Sequence, residues 1–207
     1  MAMTQNVQTG GSGATNLGLV AWIAYGVLSG GGHWIAAALV ALIISLLIVA
    51  HEYTRNAVKI MSCTTVGYFV FALLVTIAFG PGLFKYYNLI LTWGVFAIVA
   101  WVTLLIGSPF TLQYAREQAP FEIWDHPLFM RLNVILTEVF AVMFSVNTGL
   151  GALAIVTGRI LLIGLLVPIS LLVAAIVFSS KYPNRYFQRV APEFAAAQAA
   201  AAGQAND

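Results

Sequence analysis

Glu138 lies well inside an apolar run of this sequence, about two turns beyond Arg131. A carboxylate in hydrocarbon costs about 2.5–3.5 kcal/mol, so it must be protonated, paired or facing a wet cavity. A proton-coupling or substrate-binding acid fits that position. So does a packing residue that bonds Thr137, Asn133 or a polar group on another helix. The second chemistry-bearing stretch is GSPFTLQYAREQAPFEIWDHPLFMR, residues 107–131. It holds five of the sixteen acidic or basic side chains, so most of the chain's recognition chemistry must be sought there or near it. Its Thr111–Glu117 part reads as a short interfacial helix with Leu112 and Ala115 turned to lipid. Arg116 has the planar fork that binds a lipid phosphate or a partner's carboxylate. The plainer reading of the same residues is a solvated connector.

Other groupings carry less. His33 and His51 are about 27 Å apart if they share one helix, so they cannot ligate one metal. His51 and His126 fall near the same membrane face, but no third ligand stands beside them and the spacings of metal or haem sites are absent. Glu52, Arg55 and Lys59 have i, i+3 and i, i+4 spacing and read as an exposed helix end with weak charge pairing. Gly26 and Gly30 have the GxxxG spacing of close helix packing and leave homo-oligomerisation open. There is no Ser–His–Asp grouping, Walker loop, HExxH motif or Rossmann fingerprint. The candidate substrate- or partner-binding residues are Arg116, Glu117, Trp124, Arg131, Asn133 and Glu138. None is given a catalytic or metal role, and no cofactor is assigned.

The elements that must position these residues are apolar helices. Only 8% of the 207 residues are charged, and 61% are hydrophobic. A soluble domain carries about 25% charged residues, so there is too little polar surface here to cover a water-facing globule. Mean hydropathy is +0.92. Lipid is the solvent for most side chains. The net charge of +2 argues against nucleic acid, which needs clustered Lys and Arg. Apolar segments cover roughly 17–29, 33–51, 61–80, 88–107, 130–149 and 159–179. Five of them reach the roughly 20 residues that a span needs, and the first is short. Gly80-Pro81-Gly82 ends the third, and Asp125-His126-Pro127 starts the fifth. The expected fold is an all-α polytopic transmembrane bundle of five to six spans. Residues 1–16 form a flexible tail without a positive n-region, 17–180 the transmembrane domain, and 181–207 a cytoplasmic tail whose Ala-rich end frays.

Lys and Arg set the orientation. Arg55, Lys59, Arg116, Arg131, Lys181, Arg185 and Arg189 fall on one side, and Lys85 and Arg159 on the other. The positive-inside rule places the first group, and both termini, in the cytoplasm. Spans 1–3 and 4–6 then run oppositely, as in transporters built from inverted repeats, although the halves share no matching residues.

Several of these features together resemble the intracellular septation protein A family of bacterial inner-membrane proteins. A short first segment runs into the second, and the basic turn HEYTRNAVKIM follows. Phe84-Lys85 lies in a short outer loop. Gly107-Ser108-Pro109 opens a charged loop that ends in Trp124 and Arg131-Leu132-Asn133. The likeness spans residues 17–180, mostly as architecture. It departs in the acids Glu117, Glu122, Asp125 and Glu138 and in the long tails. The resemblance, to this family or to a sister family, implies a multi-pass inner-membrane protein of envelope maintenance or septation. Such a protein acts through membrane lipids or membrane-protein partners of the envelope or division machinery and has no established chemistry. The alternative is a small transporter or proton-coupled carrier using Glu138. A third reading is a lipid-acting enzyme with residues 108–131 as its headgroup site.

Overall fold

The computed structural model describes residues 12–119, 121 and 124–204, with the backbone alone at 12–17 and 190–204. Its elements are helices: α1 (Ser12–Gly30), α2 (Trp34–Thr54), α3 (Ile60–Phe79), α4 (Gly82–Leu105), the short α5 (Thr111–Arg116), α6 (Pro127–Thr157), a π-helical segment at Ile160–Leu166, and α7 (Val167–Gln204). Five helical stretches are long and apolar enough to cross a membrane: Trp34–Thr54, Ile60–Phe79, Gly82–Leu105, Pro127–Thr157 and Ile160–Arg189. In α1 the apolar part is Gly18–Gly30, shorter than a full span. Helices satisfy their own backbone hydrogen bonds, which is why a chain this apolar folds as a helical bundle.

Neighbours in sequence pack as neighbours in space: α1 on α2, α2 on α3, α3 on α4, α4 on α6, and α6 on α7. Short turns set α1 and α2, α2 and α3, α3 and α4, and α6 and α7 antiparallel, and α4 and α6 run antiparallel across the longer connection 106–126, with Trp101 meeting Ser145 and Leu89 meeting Gly151. Gly32, Gly80 and Gly158 supply positive φ angles of 83°, 77° and 69° at the turns of one end. One core joins α1, α2, α3 and α4 through Ala21, Tyr25, Ala38, Phe69 and Phe84. A second joins α3, α4, α6 and α7 around Met61, Ala100, Ala141, Phe144 and Ala175. Several polar groups inside the spans are satisfied within the bundle, whereas the buried Oδ1 atoms of Asn133 and Asn147 have no donor among the described residues. Tyr68 donates to Asn88 Oδ1 at 2.9 Å, and Thr65 and Thr103 bond back to Met61 and Ala100 carbonyls.

The π-helical segment has a local cause. Pro168 has no N–H to continue the helical ladder, and Val167 reaches back five residues to the Leu162 carbonyl. Gly164 there lets Leu89 and Ala154 approach; a Cβ on Gly164 would meet Leu89 Cδ1 at 2.6 Å.

Three helices run differently from the sequence expectation. Helix α4 begins at Gly82, not near 88, so Phe84 is a fully buried core residue while Lys85 stays exposed. Helix α6 extends to 31 residues, well beyond 130–149. Helix α7 runs through the Ala-rich stretch to Gln204. Alanine has the highest helix propensity, so the helix continues past the last membrane residues. The expected tail at 1–16 lies partly outside the described residues, with α1 starting at Ser12.

A polar strap at the basic end of the bundle

The ends of α2, α3, α4 and α6 that carry most Lys and Arg residues are closed by the connection from Ser108 to Glu117. The site begins with an unmet need. Helix α3 has no side chain of its own at its N-terminus to accept the free N–H groups. Two distant residues supply acceptors. Glu52 Oε2 accepts from the Lys59 N–H at 3.1 Å, and Gln113 Oε1 accepts from the Ile60 N–H at 2.8 Å. A carboxylate at a helix N-terminus also gains from the helix dipole. Ser62 donates its hydroxyl to Glu52 Oε1 at 2.8 Å.

Lys59 completes the arrangement. Its Nζ lies 2.7 Å from Glu117 Oε1 and 3.4 Å from Glu52 Oε1. It also sits 5.4 Å from the centre of the Tyr114 ring. Burial, and then the carboxylates of Glu52 and Glu117, push the Tyr114 phenol well above its usual pKa. Tyr114 therefore stays neutral at physiological pH and acts as a ring and a polar edge, not as a base. The expectation of a weakly paired, exposed helix end at Glu52–Lys59 is overturned. Helix α2 stops at Thr54, the chain turns at Asn56 with φ 52°, and Lys59 folds back over Glu52 instead of following it on one helix.

The strap is also keyed to α6. Thr111 donates to the Asn133 carbonyl at 2.8 Å and lies 2.8 Å from the Thr137 hydroxyl. Phe110 packs edge-on against Phe140 and Tyr114. Leu112 is buried rather than turned to lipid, because α5 lies against α6 and the second core instead of on the membrane surface. Beyond the strap, Trp124 donates its indole N–H to the Ala119 carbonyl, and His126 caps α6 by accepting from Leu128 N–H at 3.2 Å.

The sequence-derived site residues fall in three places. Glu117 belongs to the locked strap. Arg116 and Trp124 form its outer margin, with the guanidinium 5.2 Å from the Trp124 ring centre. Arg116 Nε is buried with no hydrogen-bond acceptor among the described residues. Asn133 is buried in α6; it donates to the Phe129 carbonyl and its Oδ1 has no donor among the described residues. Arg131 and Glu138 are exposed on another face of α6. They are seven residues apart, which is two turns of one face. Glu138 is thus separate from Asn133, with which the sequence groups it. Glu122 lies outside the described residues. The sequence reading missed Glu52, Lys59 and Ser62 as site residues. The signal available was the isolated Glu52 at the edge of a long apolar run, with Lys59 seven residues later across a break in hydropathy.

Depth explains how Glu138 is tolerated. About 20 residues cross the hydrocarbon core, and 20 counted back from Thr157 reach Glu138. A crossing placed at the Thr157 end of α6 therefore leaves the carboxylate at its basic-end rim. Fold and site together define a multi-pass helical membrane protein with a polar strap across one end. Compared with protein-family models, curated proteins and solved structures, the chain finds no match in any of the three.

Proposed function

We propose that the protein is a non-enzymatic inner-membrane protein of bacterial envelope maintenance or septation, with its basic end in the cytoplasm. It works by binding, with the outer margin of the strap as its recognition surface. The observation that carries this reading is Arg116: a cation held over Trp124, with a buried Nε that has no acceptor among the described residues, on a strap keyed to α3 and α6. A preorganised guanidinium with spare donors fits a phosphate or carboxylate from a lipid headgroup or an acidic partner. Glu117 does not oppose that attraction strongly, since Lys59 offsets its charge. Arg131 adds a second exposed cation on α6. Each basic group near an anionic leaflet contributes about 1 kcal/mol. The septation-family resemblance of the segment order and of the Gly107-Ser108-Pro109 element supports the cellular role.

The test is the double variant Arg116→Gln, Arg131→Gln. It should insert at the wild-type level, because the spans are untouched, and fail to complement a deletion strain scored for cell length and envelope integrity. A variant of normal abundance that complements fully would leave the strap as a structural closure only.

A further inference from the structure

The flank of α6 and α7 that points away from the strap carries a charge pattern that the strap does not use. Asn147 meets Pro168, and Leu132 and Leu136 pack with Tyr186, so the two helices run antiparallel with Arg131 level with Tyr186 and Glu138 level with Lys181. Arg131 immediately precedes the contact residue Leu132, and Lys181 and Arg185 immediately precede Tyr182 and Tyr186. In an antiparallel pair of right-handed helices, residues one step before the contact line fall on the same flank of both. Thr137, one step after Leu136, bonds the strap, so the cations stand on the opposite side. Arg131, Lys181 and Arg185 are all exposed, and no ion pair holds any of them among the described residues. Lys181 and Arg185 have a like-charge i, i+4 spacing that destabilises an isolated helix. Helix α7 keeps it because Phe178, Tyr182 and Tyr186 follow ring on ring at 4.7 and 5.9 Å, and Tyr186 is buried against α6.

We infer that this flank binds an anionic phospholipid, its phosphate taken by Arg131, Lys181 and Arg185 and its acyl chains laid on Val142, Ala174 and Phe178. The inference goes beyond the strap reading and does not require it. Depth and charge choose the occupant. About 20 residues counted from Ile160 reach Ser179, so Lys181 and Arg185 stand just outside the hydrocarbon, about 6 Å apart along the axis. Ala174 and Phe178 lie seven residues before Lys181 and Arg185, and Val142 lies one turn beyond Glu138, so an exposed apolar surface continues directly beneath the cations. Cations at headgroup depth above an apolar flank match the order of phosphate and chains in a phospholipid. A free anion or an acidic soluble partner would leave the apolar part unused. A second copy of the chain would bring the same cations to this face. Glu138 is the one acid on this flank among the described residues, and three cations against it leave an excess of two positive charges. That excess favours a lipid of net negative charge over one that carries its own ammonium.

The experiment is native mass spectrometry of the full-length chain in detergent, with phosphatidylglycerol and phosphatidylcholine of matched acyl chains added in equal amounts. The wild type should retain phosphatidylglycerol over phosphatidylcholine by about tenfold, and Lys181→Gln, Arg185→Gln should bring the ratio near parity. Arg131→Gln should lower the ratio in part, and Glu138→Gln, which removes the opposing charge, should raise it. Lys85→Gln, Arg159→Gln at the opposite end of the bundle should leave it unchanged. Equal retention of the two lipids by the wild type would overturn the inference. So would a ratio insensitive to Lys181 and Arg185, displacement of the lipid by inorganic phosphate at matched ionic strength, or a lipid-free dimer formed through this face. A preference that survives Lys181→Gln, Arg185→Gln and disappears in Arg116→Gln would overturn the seam site and support the strap. A preference lost with Lys181 and Arg185, beside full complementation by the Arg116→Gln, Arg131→Gln variant, would remove the strap reading and keep the seam.

Discussion

Lys59 carries its charge where few lysines do, with a side chain only 4% exposed between two carboxylates. Taking a charge out of water is expensive, and removing one partner of a buried pair costs more than the pair contributes, because the others are left uncompensated. Lys59→Met should therefore destabilise the protein by about 3 kcal/mol, since it strands Glu52 and Glu117 together. Glu117 is one-third exposed, so Glu117→Gln should cost about 1 kcal/mol or less. Unfolding in detergent micelles measures both. Equal effects of the two substitutions would mean that Lys59 is not the centre of the cluster. Thr111→Val should cost about 1–2 kcal/mol, as it removes two buried hydrogen bonds to α6. The residue types of this cluster are plain in the sequence, but its pairing is not. Glu52 and Gln113 meet at the start of α3 only because the strap folds back, and a contact across 53 residues leaves no local pattern.

At the scale of elements, the apolar segments were legible because lipid imposes one length and one periodicity on every span. The departures occur where another force takes over. Helix α6 runs on past the membrane because its first turns bind the strap and its Leu132 and Leu136 pack on Tyr186 of α7. The π-helical segment follows from Pro168 and from the room that Gly164 provides, neither of which alters hydropathy. Two glycines two residues apart on α6 test how tightly α4 and α6 are fitted. A Cβ on Gly151 would meet Leu89 Cβ at 3.2 Å and the Ile90 backbone N at 3.3 Å, whereas one on Gly149 would meet nothing within 4 Å. Gly151→Ala should destabilise by about 1–3 kcal/mol, as backbone cannot swing aside as a side-chain tip can. Gly149→Ala should be neutral or slightly stabilising, because alanine favours the helix. Matching stabilities for the two variants would contradict the close α4–α6 fit.

The molecule as a whole is a set of antiparallel apolar helices whose charges are sorted to the ends. That sorting is legible in the sequence, because the order of Lys and Arg along the chain, taken with the apolar runs, fixes which end each one reaches. Which charges are spent inside the protein and which face outward is not legible there, since it depends on how the strap folds back. Lys59 is buried, Arg116 is half-buried over Trp124, and Arg131, Lys181, Arg185 and Arg189 are exposed. The role proposed for the strap and for the free Arg116 donors depends on the basic end facing the cytoplasm. The most direct measurement is therefore labelling of single cysteines in intact and permeabilised cells with a membrane-impermeant maleimide, in a Cys63→Ser background. Gln118→Cys beside the strap and Asn184→Cys on α7 should react only after permeabilisation, and Lys85→Cys at the opposite end should react in intact cells. Labelling of Gln118→Cys and Asn184→Cys from outside intact cells, with Lys85→Cys protected, would contradict the account.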